Sequence, residues 1–265
     1  MKLMDLKDMD RLPGRRIQAD ETFSFRCHPD ISCFNRCCRN LNLMLYPYDV
    51  LRLKKRLGIS SDRFINDYIH VVLRPSSYFP DVLLKMAEND DKPCPFLTPS
   101  GCSVYSDRPD ACRTFPLEQG VYFHERTDDP CFFYFLRPPE FCRGPNEEVF
   151  WTPEAWIRDQ EAEIYRKMMV EWAKIKRLFS SDPWEGRGMD HPKAKMAFMA
   201  AYNVDLFREF VFNSTFLKRY RVDQNTLKKI RAGSDTELMR FGFEWITFYT
   251  WGIRSTRIRL KQKFR

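Results

Sequence analysis

The 265-residue chain has no run of 18 consecutive apolar residues, only ten glycines and four histidines, and no cysteine at all in the 123 residues from Arg143 to Arg265. The missing apolar run leaves no candidate for a membrane-spanning helix. The opening MKLMDLKDMDRLPGRR mixes acids with bases and lacks the apolar stretch and small-residue cleavage site of a secretory signal, so a cytoplasmic chain is expected. The few glycines form no G-x-G-x-G loop, which argues against an ordinary nucleotide-binding methyltransferase domain. There is no internal repeat and no low-complexity tract. With 43% hydrophobic residues the chain can bury a core, which excludes wholesale disorder.

What is present is concentrated. All nine cysteines fall between Cys27 and Cys142, as Cys27-x5-Cys33-x3-Cys37-Cys38, then Cys94-x7-Cys102-x9-Cys112, then Cys131 and Cys142. In a reducing compartment such a clustered, odd-numbered set reads as metal ligands or reactive thiols before disulfides. Thiolate sites need soft sulfurs held by short, stiff loops; Pro93 and Pro95 flank Cys94, and Gly101 precedes Cys102. The adjacent Cys37 and Cys38 have diverging Cβ vectors. They suit two neighbouring metals, two irons of one cluster, or one ligand with a supporting thiol.

Arg26, Arg36, Arg39, Arg113 and Arg143 each lie within two positions of a cysteine, and Arg108 lies four before Cys112. Positive neighbours favour thiolates and offset the excess negative charge of a four-thiolate site. Cys131, inside the aromatic run Cys-Phe-Phe-Tyr-Phe, reads equally well as a buried apolar residue. Among the histidines, His28 and His124 are secondary candidates for the site, and His70 and His191 are expected at the surface.

The segments FRCHPDISCFNRCC, LYPYDVLRLKKRLGIS, CPFLTPSGCSVYSDRPDACRTFP, CRG and WTPEAWIRDQ together resemble the YkgJ-type cysteine-cluster family, also described as a zinc- or iron-chelating CxxCxxCC domain. The resemblance spans roughly residues 23 to 180. It implies that Cys27, Cys33, Cys37, Cys38, Cys94, Cys102, Cys112 and Cys142 are metal ligands, with Cys131 as an extra. Five residues separate Cys27 from Cys33 where the family's short label has two, which leaves open which sulfurs share a metal. A relative with the same cluster, flagellin lysine N-methylase, implies S-adenosylmethionine-linked methylation of protein lysine as one activity; the residues themselves add no support. The C-x3-C-x2-C triplet of a typical radical enzyme is absent, because Cys38 follows Cys37 directly. Charge does not separate iron-sulfur clusters from zinc. The lack of repeated C-x2-C knuckles favours iron-sulfur.

The expected fold is mainly α: a polar segment 1–22, an irregular cysteine-rich metal-binding module 23–150 with short helices, and a helical region 151–265 packed on it. Pro47 and Gly58 bracket one helix, and Ser60 or Ser61 caps a second. Thr152 and Pro153 open a helix whose apolar period runs to Phe179. Further helices are expected at about 193–220, 223–231 and 235–262. The cation-rich C-terminus reads as the solvated basic end of a last core helix rather than as an interfacial helix or a nucleic-acid arm, so nucleic acid is not an expected partner. The functional expectation is a metalloprotein carrying iron-sulfur clusters or zinc, serving a redox or protein-modifying enzyme that acts on a protein partner or substrate. The alternative is a zinc-stabilised interaction module that meets an acidic partner through its basic surface.

Overall fold

The computed structural model describes residues 2–3, 14–74 and 77–264. Most of the N-terminal polar segment therefore lies outside the described residues. The chain divides into two compact units: Met1–Met44 with Leu84–Ala173, and Leu45–Leu83 with Lys174–Arg265.

The first unit is built on a four-stranded sheet in the order β1-β8-β9-β2. Strands β8 (Leu117–Phe123) and β9 (Pro130–Leu136) form an antiparallel hairpin, β2 (Arg15–Ile17) adds antiparallel to β9, and β1 (Lys2–Leu3) lies parallel to β8. Alternation puts Leu117 and Tyr134 on the face that meets Ile17, Phe23, Phe25, Trp156 and Ile157 in one core. Two small ribbons complete the strands here, β3 (Phe23–Ser24) with β10 (Phe150–Trp151) and β6 (Leu97–Thr98) with β7 (Gly101–Cys102). Short helix α3 (Asp110–Thr114) follows, then α4 (Pro153–Asp159), capped by the Thr152 side chain.

The second unit is mostly helical. Helix α1 (Pro47–Leu57) starts at proline and stops at Gly58, whose φ of +64° is the left-handed turn that glycine accepts at no cost. Helix α2 (Ser61–Tyr68) is capped by the Ser60 side chain and leads into ribbon β4 (Ile69–Val72) and β5 (Asp81–Leu84). Helix α5 (Glu163–Lys176), most of which belongs to the first unit, leads the chain back into the second, where α6 (Pro192–Tyr202), α7 (Val204–Asn213), α8 (Phe216–Arg219), α9 (Gln224–Arg231) and α10 (Asp235–Trp251) follow. Strands β11 (Tyr220–Val222) and β12 (Ile258–Leu260) pair antiparallel. Phe207, Phe216, Phe241 and Trp245 form the fully buried aromatic centre. These four rings are core, while Tyr78 and Phe264 of the same unit are exposed.

Several expectations are corrected. With 45% helix and 17% strand the fold is mixed rather than mainly α. The helix expected from 151 to 179 breaks at Gln160–Ala162. Glu161 takes a φ of +51°, and the Ala162 N–H turns back to the Ile157 carbonyl at 2.9 Å, a helix-ending bond pattern made without glycine or proline. The stretch 193–220 is three helices, with Asn203 capping the second. The last helix stops at Gly252, left-handed at φ +68°, and the chain returns as β12. His191 is buried, not superficial: its Nδ1 accepts from the Lys193 N–H at the start of α6, and its ring lies 6.1 Å from that of Trp184.

Candidate metal centre

All nine cysteines belong to the first unit, and all are free thiols. Four of the eight candidate ligands, Cys27, Cys33, Cys37 and Cys142, line one cavity, whose remaining walls include Phe25, Phe115 and Phe141. Backbone pairing assembles them. The chain at 24–26 runs beside 144–150, with Phe25 N–H bonded to Val149 and Arg26 N–H to the Gly144 carbonyl at 3.1 Å, which carries Cys27 alongside Cys142. Cys33 receives the Arg143 N–H on its sulfur at 3.2 Å. Cys37 sits in a single 3-10 turn, Arg36–Cys38, entered through a left-handed Asn35 and left before a left-handed Asn40.

The other cysteines group differently. Cys94 donates its N–H to the Cys38 carbonyl at 2.8 Å, and Asn40 donates to the Lys92 carbonyl, so the two loops run side by side. The ribbon β6–β7 returns the chain from Cys94 to Cys102, with Gly101 at φ +125° in its turn. Cys112 lies on α3, and the guanidinium of Arg108 sits within the field of both Cys102 and Cys112. Cys37 lines the cavity and its thiol is hydrogen-bonded to that of Cys38, while the Cys38 backbone carbonyl ties this turn to the Cys94 loop. Cys131 is elsewhere, at the start of β9 opposite Tyr122, with its Sγ 3.9 Å from the Asp129 carbonyl. His28 adjoins the first group, its Nε2 3.5 Å from Glu147; His124 is exposed in the β8–β9 turn. Among the described residues, no three Cys, His, Asp or Glu side chains close on a single ion-sized point.

Three sulfurs share a device that spacing alone does not reveal. Each accepts the backbone N–H two residues ahead: Cys94 from Phe96, Cys102 from Val104, Cys142 from Gly144. Such bonds fix the sulfur and favour its anionic form. At Gly144 the packing demands glycine, because a Cβ would stand 2.4 Å from the ring of Phe25. The signals in the sequence are Pro95 after Cys94, Ser103 after Cys102 and Gly144 two residues after Cys142.

Burial opposes ionisation. Desolvation pushes the Cys27 thiol up to about 11, with Cys37, Cys33 and Cys142 adding to the rise, and pushes Cys94 up to about 11 against the pull of the Phe96 N–H. Cys37 is driven well above the ordinary thiol range, first by its bond to Cys38 and then by burial. Cys102 and Cys142 also rise through burial. A set of thiols this reluctant to ionise on its own becomes a thiolate set when a soft cation supplies the missing charge.

Two buried arginines lean the same way. Arg108 is 8% exposed and has no carboxylate partner among the described residues; it donates to the Tyr105 carbonyl and Gln160 Oε1 at 2.7 and 2.6 Å, beside Cys102 and Cys112. Arg113 is 3% exposed, donates to the carbonyls of Gln160 and Ser106, and leaves its Nε without a partner among the described residues. Buried arginines ordinarily come with an anion, and thiolates at Cys102 and Cys112 would supply it for Arg108. The donor set thus fits a thiolate-bound metal.

A unit that gathers mostly half-buried thiols around stiff loops and backs them with buried cations has the chemistry of a cysteine-ligated metal-binding domain. Residues 26–155 match the CxxCxxCC family, described as “Putative zinc- or iron-chelating domain”. No curated protein and no solved structure matches the chain.

Proposed function

We propose that the protein binds two metal centres through eight cysteine thiolates, with Cys27, Cys33, Cys37 and Cys142 at one and Cys38, Cys94, Cys102 and Cys112 at the other. The observation that carries this reading is the cavity lined by Cys27, Cys33, Cys37 and Cys142, which leaves outside it the Cys94 loop, tied by its backbone to Cys38 and with Cys94 in the field of Cys102. Iron-sulfur clusters are the proposed content, because the ligand loops are of irregular length and contain no C-x2-C knuckle. When bound, such clusters would supply electron storage or transfer. The chain's own residues hold the thiolates by N–H···S bonds, exclude water with Phe25, Phe115 and Phe141, and place Arg108 against the charge of the second set.

The test is anaerobic purification followed by iron, zinc and acid-labile sulfide analysis. A brown protein with iron and sulfide is expected; a colourless protein with stoichiometric zinc overturns the cluster assignment and favours a zinc-stabilised module. Cys37→Ala and Cys102→Ala should each lower metal per chain, whereas Cys131→Ala should leave it unchanged. Equal losses from all three variants would overturn the ligand assignment.

A further inference from the structure

The chain's surplus of cations is not shared between its units. The second unit carries 26 Lys and Arg against 13 Asp and Glu, while the first carries 18 against 23. Within the second unit, residues 214–233 and 252–265 hold 12 of the cations and a single acid, Asp223. The β11–β12 ribbon brings these two stretches together.

Register decides where the charges point. Tyr220, Val222, Ile258 and Leu260 alternate onto one face, where Val222 and Ile258 are buried and Tyr220 stacks edge-on against Trp245. The other face takes Arg221 directly opposite Arg259, and next to them Arg219 opposite Lys261, joined by the Lys261 N–H to Arg219 carbonyl bond at 2.9 Å. Arg219, Arg221 and Arg259 are exposed. The neighbouring Arg257 is matched by Glu237 and Glu244, and Asp223 is engaged in capping α9. No carboxylate among the described residues pairs with Arg219, Arg221 or Arg259. Like charges directly opposite in a ladder destabilise it, so this face costs stability unless an anion sits on it.

We propose that the outer face of this ribbon binds the phosphodiester backbone of nucleic acid. Three of the four charges are arginines, whose planar forks match phosphate oxygens in pairs. An exposed aromatic, Phe264, lies beside them with the Arg219 guanidinium 5.9 Å from its ring centre. A cationic strip bordered by an exposed ring suits a single strand, in which phosphates meet the cations and a base meets the ring. Recognition through phosphates is independent of sequence and strongly dependent on salt. The inference does not depend on the metal reading.

The test uses the full-length protein and fluorescence anisotropy with a labelled 20-nucleotide oligo-uridine, a 20-base-pair duplex, and phosphatidylserine vesicles as separate arms. Binding to the single strand is expected, weakening by about tenfold or more between 50 and 200 mM salt. Arg221→Gln with Arg259→Gln should reduce the slope of log affinity against log salt by about two. Lys195→Glu with Arg187→Glu, exposed cations elsewhere in the unit, should leave that slope unchanged. Because Arg221→Gln alone removes a like-charge pair, it should raise Tm by about 1–3 °C while weakening binding, a combination that damage to the fold does not give. Duplex binding stronger than single-strand binding would overturn the role given to Phe264. Binding to vesicles alone, to nothing, or equally by the Arg221/Arg259 variant would overturn the proposal.

Discussion

At the scale of single residues, the thiol environments depend on atoms that look incidental in the sequence. Gly144 opens a short 3-10 turn and has no left-handed φ; it is glycine because the ring of Phe25 fills the space a Cβ would occupy, with the Arg26 carbonyl oxygen 3.0 Å away on another side. Its N–H also serves the Cys142 sulfur. Gly144→Ala must therefore push Phe25 out of the cavity wall or pull the N–H off the sulfur. Overpacking of this kind costs about 1–3 kcal/mol. The expected outcome is a lower Tm together with faster loss of metal to a chelator. A variant as stable and as metal-retentive as the parent would show that this wall does not hold the site.

At the scale of elements, the helix break at Gln160–Ala162 is tied to the site. Ending α4 there frees the Gln160 carbonyl for Arg113, and its side chain meets Arg108, so both buried arginines beside Cys112 anchor on this turn. The cost is a glutamate in the left-handed region, about 1–2 kcal/mol for an L side chain. Glu161→Gly should stabilise the protein by roughly 0.5–1 kcal/mol, read as a rise in Tm, since the carboxylate it removes is exposed and only 3.9 Å from Arg113.

A second element contact sets a pH dependence. Burial alone would raise the Asp205 carboxyl, but the bonds it accepts from Lys54 Nζ at 2.7 Å and from the Ser61 N–H and hydroxyl outweigh burial and hold it below the usual carboxylate range. A carboxylate depressed in the folded state gives stability that is present above its unfolded value of about 3.9 and is lost as pH falls through the folded value. Asp205→Asn should cost about 1–3 kcal/mol at pH 7 by thermal denaturation, with the gap to the parent closing below about pH 4. A gap independent of pH would exclude the charge as its origin.

These elements show what the sequence makes legible. Pro47, Gly58, Ser60 and Thr152 mark helix ends by chemistry local to each, and the structure uses all four. The break at Glu161 has no such mark, because it is secured by arginines some fifty residues earlier. The strands of the sheet were hidden for the same reason: β8 and β9 pair with each other and with residues near the N-terminus, and the run Cys131–Phe135 reads as core without saying core of what. In the site, the clustering and the oddity of Cys37–Cys38 were visible. The N–H···S bonds and the burial of Arg108 beside Cys102 and Cys112 depend on how the loops fold together.

For the whole molecule, the question is what metal removal would do to two units of different construction. The first has two-residue strands, short helices and long irregular loops around its cysteines, while α6, α7 and α10 of the second bury a continuous aromatic core of their own. Loops such as 27–38 and 92–112 have few hydrogen bonds of regular structure to hold them, so bound metal would carry much of their order. In the second unit, helix caps at Ser60, Asn203, Asp223 and Ser234 and rings packed at 5–6 Å hold the structure without any thiol. Chelation of the full chain should therefore collapse amide-exchange protection in 25–44, 92–115 and 139–147 and leave α6, α7 and α10 protected. Far-UV circular dichroism should keep most of its helical signal while the thiols become reactive to a maleimide. Equal loss of protection in α10 would mean that the two units unfold as one, and that the cysteine-free unit owes its order to the metal after all.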